Sequence, residues 1–171
     1  MMARRGLLAA VLGLVLASAG CGYTLRTSLP GGIKTVHIPV LQNRTQEPGI
    51  ENSITQALTQ AIVTSGLAKI AANAEEADAS LEGVIVGYNL TSLAFDRGSN
   101  VTQYRLQIAL ALTLRDLRKK EVIWKQERIE ERADFPVSGQ VTQTLQSEDE
   151  AVRRAAVDIS RAIVSLAFEG F

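Results

Sequence analysis

The chain has 171 residues, and its 18 lysines and arginines are matched by 18 aspartates and glutamates. This length fits one domain that can bury a core, and the balanced charge excludes the strongly basic surface of a nucleic-acid-binding protein. Aromatic residues make up only 5% of the chain, so any surface for a lipid or a partner must be mostly aliphatic.

The N-terminus has the order of an export signal. Arg4 and Arg5 precede a short apolar run, then small residues, and then Cys21, which is the only cysteine. A positive start, a short apolar stretch and small residues before a cleavage point are typical of a signal peptide. The apolar run, residues 7–16, is too short to cross a bilayer, because a spanning helix needs about 20 residues.

The small residues before Cys21 resemble the bacterial lipoprotein box, in which the cysteine becomes the lipid-bearing N-terminus. The resemblance implies that residues 1–20 are removed, that residues 21–33 form a lipidated leader, and that residues 34–171 form a single domain. It implies no cofactor apart from covalent lipid such as palmitate, and two or more acyl chains make attachment stable. Gly22 is compatible with sorting to the outer membrane. An ordinary signal peptide with an incidental cysteine is the alternative.

The first part of the domain is predicted to be strand, helix and strand. The first strand covers residues 35–40, and Pro39 makes it an edge strand or ends it there. A helix is predicted from Pro48 to a stop at Gly66, followed by a short strand over residues 67–71. The apolar face of the first strand is Val36, Ile38 and Val40. The apolar residues at helical spacing are Ile50, Ile54, Ala57, Leu58, Ala61 and Ile62.

A long strand is predicted next, over residues 79–93. It is apolar on both faces, so both faces need cover from the chain itself or from a partner. The set favoured as the core face is Leu81, Gly83 and Ile85. The opposite face is Val84, Val86 and Tyr88. The chain then turns at residues 95–100, where Gly98 is the expected residue with positive φ.

The return strand has the clearest alternation in the sequence. Its large apolar face is Tyr104, Leu106, Ile108, Leu110, Leu112 and Leu114. This pattern predicts a central strand with that face in the core. After a basic turn at residues 118–120, a last strand begins at Val122 and is predicted to fray into charged residues near Arg132.

The last helix is predicted to begin at a capping box formed by Ser147 and Glu150, and to end at Gly170. Its apolar stripe is Val152, Ala155, Ala156, Ile159, Ile163 and Leu166. Each helix has one apolar stripe to bury, so both are expected on the same face of the sheet. The sequence therefore predicts an α+β fold, with two helices packed on one face of a mixed, mostly antiparallel sheet of four to five strands.

Several segments together resemble a known family. They are Cys21-Gly22-Tyr23, Ile33-Lys34-Thr35-Val36, Ile38-Pro39-Val40, Asn43-Arg44-Thr45, Glu47-Pro48-Gly49, Ala77-Asp78-Ala79, Leu81-Glu82-Gly83 and Tyr104-Arg105-Leu106. Their order and spacing resemble the lipopolysaccharide-assembly lipoprotein family (LptE) over essentially the whole mature chain. No single segment among them is chemically specific.

The resemblance implies a lipid-anchored protein on the periplasmic face of the outer membrane. Its domain would sit inside the β-barrel translocon LptD, support assembly of that barrel and bind lipopolysaccharide. Cys21 is the one family residue that carries over directly. An enzyme is not expected, because no metal-ligand cluster, nucleophile–base pair or phosphate loop can be assembled from these residues.

Candidate contact residues for lipopolysaccharide or the barrel follow from the chemistry of lipid A. Lipid A presents phosphates beside acyl chains, so its binder needs cations next to apolar surface. Arg97 beside Phe95, with Arg105 on the same hairpin, offers this mixture. Lys119 and Lys120 form a second basic group at the opposite end of the strand. The alternative is that both groups are solvated turns that protect the sheet from aggregation.

Two other functions stay open at this point. Lipoproteins of curli secretion and of penicillin-binding-protein activation also begin with a strand, a similar loop and a helix, although they generally lack so long a central hairpin. A periplasmic enzyme is the more distant alternative. Co-purification of a large barrel separates an assembly lipoprotein from these other lipoproteins, and a hydrolase screen against envelope substrates tests for an enzyme.

Overall fold

The computed structural model describes residues 32–137 and 139–169. The predicted signal, Cys21, the leader up to residue 31 and Gly170 lie outside the described residues. The elements in chain order are β1 (Thr35–His37), β2 (Gln42–Asn43), α1 (Ile50–Ser65), β3 (Lys69–Ile70), β4 (Ala79–Phe95), β5 (Val101–Asp116), β6 (Glu121–Pro136) and α2 (Val141–Val164), which continues into a π-helical turn (Ser165–Glu169).

The strands form one mixed sheet of six strands in the order β3-β1-β4-β5-β6, with the short β2 also paired to β4. The pairs of β1 with β3 and β4, and of β2 with β4, are parallel. The long strands β4, β5 and β6 form an antiparallel meander. The predicted α+β fold is confirmed, and the two-residue β2 brings the strand count to six.

Each helix buries one apolar stripe in the core, which lies between the helices and one face of the sheet. The stripe of α1 repeats every four residues, and that of α2 repeats every three or four, as helical geometry requires. The helix residues in this core are Ile50, Ile54, Leu58, Ile62, Ala151, Ala155, Ala156, Ile159, Ile163 and Val164. They form a single cluster with the predicted apolar face of β5 from Leu106 to Leu114. Gly66 ends α1 with φ of 68°, as predicted.

The first strand is shorter than predicted. β1 ends at His37, before Pro39, and Val40 is 60% exposed rather than part of the apolar face. Proline cannot donate to a strand ladder, so pairing stops ahead of it. β1 lies between β3 and β4, so the edge position that Pro39 also allowed is not the one observed.

A bulge in β4 changes the face of the residues that follow it. The register with β5 shifts between Ile85 and Gly87, so Val86 is an extra residue in the ladder. One extra residue reverses the alternation beyond it. Tyr88 therefore lies opposite Ile108 on the helix-covered face, and the prediction that placed Tyr88 on the other face is wrong.

Tyr88 joins the sheet to α2. Its hydroxyl donates a hydrogen bond of 2.6 Å to the Glu148 carboxylate. Burial, this hydrogen bond and the negative charges of Glu148, Glu47 and Asp149 raise the pKa of Tyr88 well above its usual 10.0. The hydroxyl consequently stays protonated and remains a donor at neutral pH.

The last strand does not fray near Arg132. β6 continues to Pro136, because Ile129, Ala133 and Phe135 are buried on one face of the strand while the charged residues of the opposite face are exposed. The Phe135 ring packs against Tyr104 of β5 with 5.8 Å between ring centroids. Because most residues near Arg132 are charged, the alternation is not evident from the sequence alone.

The last helix begins earlier than its predicted capping box. α2 starts at Val141, and the Ser147 hydroxyl bonds to the Gln143 carbonyl 2.9 Å away, inside the helix. A side chain bonded four residues back along a helix is not an N-cap, so the capping-box prediction is wrong. Leu166, predicted in the apolar stripe, is exposed.

Candidate functional site

The tip of the β4–β5 hairpin is a tight polar turn. One Asp96 carboxylate oxygen accepts the backbone N–H groups of Gly98 at 2.7 Å and of Asn100 at 2.9 Å. The Asn100 side-chain amide also donates to this carboxylate. This hydrogen bond, followed by the backbone ones, lowers the pKa of Asp96. The residue with positive φ is Ser99, at 64°, rather than the predicted Gly98.

Apolar and basic side chains are exposed together at this tip. Phe95 is 59% exposed and Leu93 is also exposed at the end of β4. Arg97 follows in the turn and is exposed. Its side chain makes no hydrogen bond or ion pair to any residue that the structure describes. Phe95 and Arg97, two residues apart in the chain, are therefore both exposed at the hairpin tip.

Arg105 lies in a different setting. The register pairs it with Thr91, four residues along β5 from Val101 at the tip, which corresponds to about 13 Å at strand spacing. Its guanidinium donates to both oxygens of Asp134, at 2.7 and 2.8 Å. This fork lowers the pKa of the Asp134 carboxyl. Arg105 is therefore already paired within the fold.

The Arg105–Asp134 pair belongs to a row of polar contacts on the face of β5 and β6 that the helices leave open. Gln107 donates to the Glu130 carboxylate at 2.6 Å, and Arg128 donates to the same carboxylate. The opposite charges of Arg105 and Asp134 neutralise each other across the two strands, and those of Arg128 and Glu130 do so within β6. Towards β4, the same face carries small apolar residues, because Val84 pairs with Ala111.

Lys119 and Lys120 lie at the opposite end of the sheet from Arg97. β5 has 16 residues between the two turns, which corresponds to about 50 Å. Asp116 accepts the backbone N–H groups of Arg118 and Lys119, both at 2.9 Å. Both lysines are exposed. The two predicted basic groups therefore cannot form one patch.

A groove of about 920 Å³ lies between the two helices. Small side chains such as Ala57, Ala61 and Ala156 leave this space, and its rim includes Gln56 and Arg153. These alanines belong to the predicted apolar stripes, and their pattern in the sequence does not indicate a groove. Only the relative placement of α1 and α2 reveals it.

The described part of the chain contains no group of three or more His, Cys, Asp or Glu side chains able to hold a metal ion. Among the same residues, no helix is both long enough and apolar enough to span a membrane.

Comparison with solved structures shows which proteins share the fold. The chain is 20% identical to lipoprotein B from Nitrosomonas europaea, with a TM-score of 0.54, covering 85% of this chain and 92% of that one. It is 14% identical to the rare lipoprotein B from Shewanella oneidensis, with a TM-score of 0.54, covering 78% and 92%. It is also 14% identical to the PelC dodecamer from Paraburkholderia phytofirmans, with a TM-score of 0.51, covering 79% and 89%. At these identities the likeness shows the fold alone.

No curated protein sequence is significantly similar to this chain. The family model described as "LptE: Lipopolysaccharide-assembly" matches residues 33–166, which is nearly all of the described domain. The match confirms the resemblance that the order and spacing of the short sequence segments indicated. It favours this family over the other lipoprotein types considered above. The family is one of non-enzymatic assembly lipoproteins. The chain belongs to the LptE family of lipopolysaccharide-assembly lipoproteins.

Proposed function

We propose that this protein is an outer-membrane lipoprotein that partners an LptD-type β-barrel and binds lipopolysaccharide during its assembly. The observation that carries the proposal is the family match over residues 33–166. The domain would face the periplasm and hang from the membrane by acyl groups on Cys21. The signal-like residues 1–20, ending directly before the only cysteine, support this anchor.

The hairpin tip is the surface that we assign to lipopolysaccharide. Arg97 offers a guanidinium without a described partner, and Phe95 offers exposed apolar surface beside it. A guanidinium can form two parallel hydrogen bonds to a phosphate, and apolar side chains favour the neighbouring acyl chains. Arg105 would have to break its ion pair with Asp134 before it could bind a phosphate. We therefore expect it to contribute less to lipopolysaccharide binding than Arg97 does.

Lys119 and Lys120 would belong to a separate contact, with the barrel rather than with the same lipid A. Their distance from the tip, about 50 Å along β5, is several times the length of any side chain. We therefore expect charge changes at the two ends of the sheet to act independently.

Replacing the cation at the tip tests the assignment. Arg97→Glu should weaken lipopolysaccharide binding by about 10- to 100-fold, because a charge-assisted hydrogen bond is worth about 1.5–3 kcal/mol. Arg105→Glu should weaken it less and should also lower stability by leaving Asp134 unpaired. Binding is measured with purified lipopolysaccharide, and the melting temperature is recorded for each variant.

Lys69→Glu is the matched control, because Lys69 is an exposed cation on the edge strand β3 and the charge change is the same. It should bind lipopolysaccharide at wild-type strength. If Arg97→Glu also binds at wild-type strength, the hairpin tip is not the lipopolysaccharide contact.

A further inference from the structure

One edge of β4 pairs with β5 along the strand. The opposite edge pairs with β1 and then with β2, and among the strands that the structure describes it has no partner over the second half of β4. β2 pairs with β4 only at Val84 and Ile85, and the last bond of this ladder runs from the Arg44 N–H to the Ile85 carbonyl at 3.1 Å. Beyond this point no other strand within residues 32–137 and 139–169 pairs with that edge. Residues 87–95 are therefore paired on one side only, by β5.

The backbone groups that this edge offers can be identified. In a strand, the N–H and C=O groups of alternate residues point to opposite edges. The Ile85 groups face β2, and past the bulge Gly87 faces β5, where it pairs with Ala109. The residues whose N–H and C=O groups face outward are Tyr88, Leu90 and Ser92.

This edge lacks the features that usually protect a free strand. Natural edges carry lysine, proline or bulges that prevent another strand from pairing. Residues 83–95 contain neither a charge nor a proline. The bulges of β4 leave a regular stretch from Gly87 to Ser92 between them. Six residues is a typical strand length, so the stretch can accept one complete additional strand.

Two exposed leucines, Leu90 and Leu145, lie near the edge on the helix-covered side, and we call this pair the notch. Leu90 follows Tyr88 by two residues on the same strand face and is 39% exposed. On α2, Leu145 lies about one turn before Glu148, which accepts the Tyr88 hydroxyl, and Leu145 is 57% exposed. An added strand would place alternate side chains in this notch.

Carboxylates near the Tyr88 hydroxyl indicate the charge of the segment that this edge would accept. Glu47, Glu148 and Asp149 lie close enough to Tyr88 for their charges to act on its hydroxyl. No compensating lysine or arginine is present among residues 83–95 of the strand itself. A segment with a lysine or an arginine is therefore favoured over a neutral or acidic one.

We propose that the β4 edge from Gly87 to Ser92 is a strand-addition site, which takes an extended segment of the barrel partner that is apolar at alternate positions and carries a lysine or arginine. This inference rests on the proposed function, because the barrel supplies the segment. Main-chain hydrogen bonds to Tyr88, Leu90 and Ser92 supply the affinity, and the notch with its carboxylates supplies the specificity.

A second copy of the chain is a poorer occupant. Six residues of edge present about 20 Å by 10 Å, or roughly 200 Å², whereas a stable specific interface needs about 800 Å² from each partner. A second copy would also bring the same carboxylates towards the first. A barrel segment avoids both problems, because the rest of the complex already holds it nearby.

The test measures amide hydrogen exchange of the full-length, lipid-anchored protein, free and in the complex purified from its own membranes. Strand addition should slow exchange at the Leu90 and Ser92 amides by about tenfold or more, since each gains a protein acceptor. Ser92→Pro removes one outward N–H and should reduce the barrel recovered with the protein. Ser92→Ala keeps that N–H and should recover as much barrel as wild type.

The outcomes separate this inference from the proposed function. If the barrel co-purifies but the Leu90 and Ser92 amides exchange as fast as in the free protein, strand addition is wrong and the partnership stands. If protection depends on protein concentration without a barrel, the edge pairs copies of this chain and the inference fails. If no barrel co-purifies, both proposals fail. Because the exchange measurement uses the wild-type chain, it decides the matter even if Ser92→Pro unfolds.

Discussion

Asp78 holds three parts of the fold together at the end of the sheet far from the hairpin tip. Its carboxylate accepts the backbone N–H groups of Lys34 at 2.8 Å and Thr35 at 3.1 Å, where β1 begins. The other oxygen lies 3.4 Å from the Arg118 guanidinium in the β5–β6 turn. The Lys34 hydrogen bond is the leading cause that lowers the pKa of Asp78 below its usual 3.8.

A lowered pKa in the folded state means that Asp78 contributes stability above the unfolded-state pKa. This contribution is lost as the pH falls below about 4, towards the folded-state value. We expect Asp78→Asn to lower the free energy of unfolding at pH 7 by about 1 kcal/mol, the usual net worth of a hydrogen bond. The difference between variant and wild type should shrink as the pH falls from 5 to about 2.

Urea unfolding at a series of pH values measures this effect. Glu75→Gln is the control, because Glu75 lies in the exposed connector between β3 and β4. The free energy of unfolding of this variant should follow that of the wild type at every pH. A difference for Asp78→Asn that stays constant at all pH values would show that the carboxylate charge is not what stabilises this end of the sheet.

Single residues were predictable when their environment is local. Phe95 ends β4 and Arg97 follows in the adjacent turn, and the exposure of both follows from the turn residues between two strands. The Arg105–Asp134 pair spans 29 residues and depends on the register of β5 with β6. Sequence periodicity gives the faces of each strand but not the register between strands, so this pairing could not be predicted.

The β5 strand is the element on which the core depends. Its face from Leu106 to Leu114 is almost completely buried and contacts both helices through one cluster. We expect Leu110→Asp to prevent folding, because an unpaired carboxylate would be buried at the centre. Leu110→Ala should fold and lose about 2–5 kcal/mol of stability.

Circular dichroism and thermal unfolding of the purified domain check this prediction. Thr102→Asp is the control, because Thr102 lies on the same strand and is exposed. It should melt close to the wild-type temperature. Leu110→Asp that melts like wild type would mean that the helices do not pack on this face.

At the scale of elements, the sequence predicts those with an uninterrupted period. β5 alternates over its full length and α1 repeats every four residues, and both are as predicted. The face of Tyr88 was missed because a bulge at Val86 has no sequence signal in a strand that is apolar on both sides. The start of α2 was missed because Ser147 fits a capping box as well as it fits a helix interior.

For the whole molecule, the surfaces of the sheet that the described residues leave without cover include the hairpin tip, the polar face of β5 and β6, and the distal edge of β4. The family could be predicted from the order of many weakly specific segments along the chain. Its functional surfaces could not, because a docking edge consists of backbone groups that any sequence possesses. The β4 edge is free to pair with another strand only because β2 ends after two residues.

The proposed function makes the chain a lipid-anchored partner of an outer-membrane barrel. The most direct measurement is to purify the full-length protein from its own outer membranes and to identify by mass spectrometry both its N-terminus and what remains bound. We predict a mature chain that begins at an acylated Cys21 and a single β-barrel protein recovered with it in near-equal amount. An unmodified Cys21 on a chain that still carries residues 1–20, or recovery without any barrel, would contradict the account.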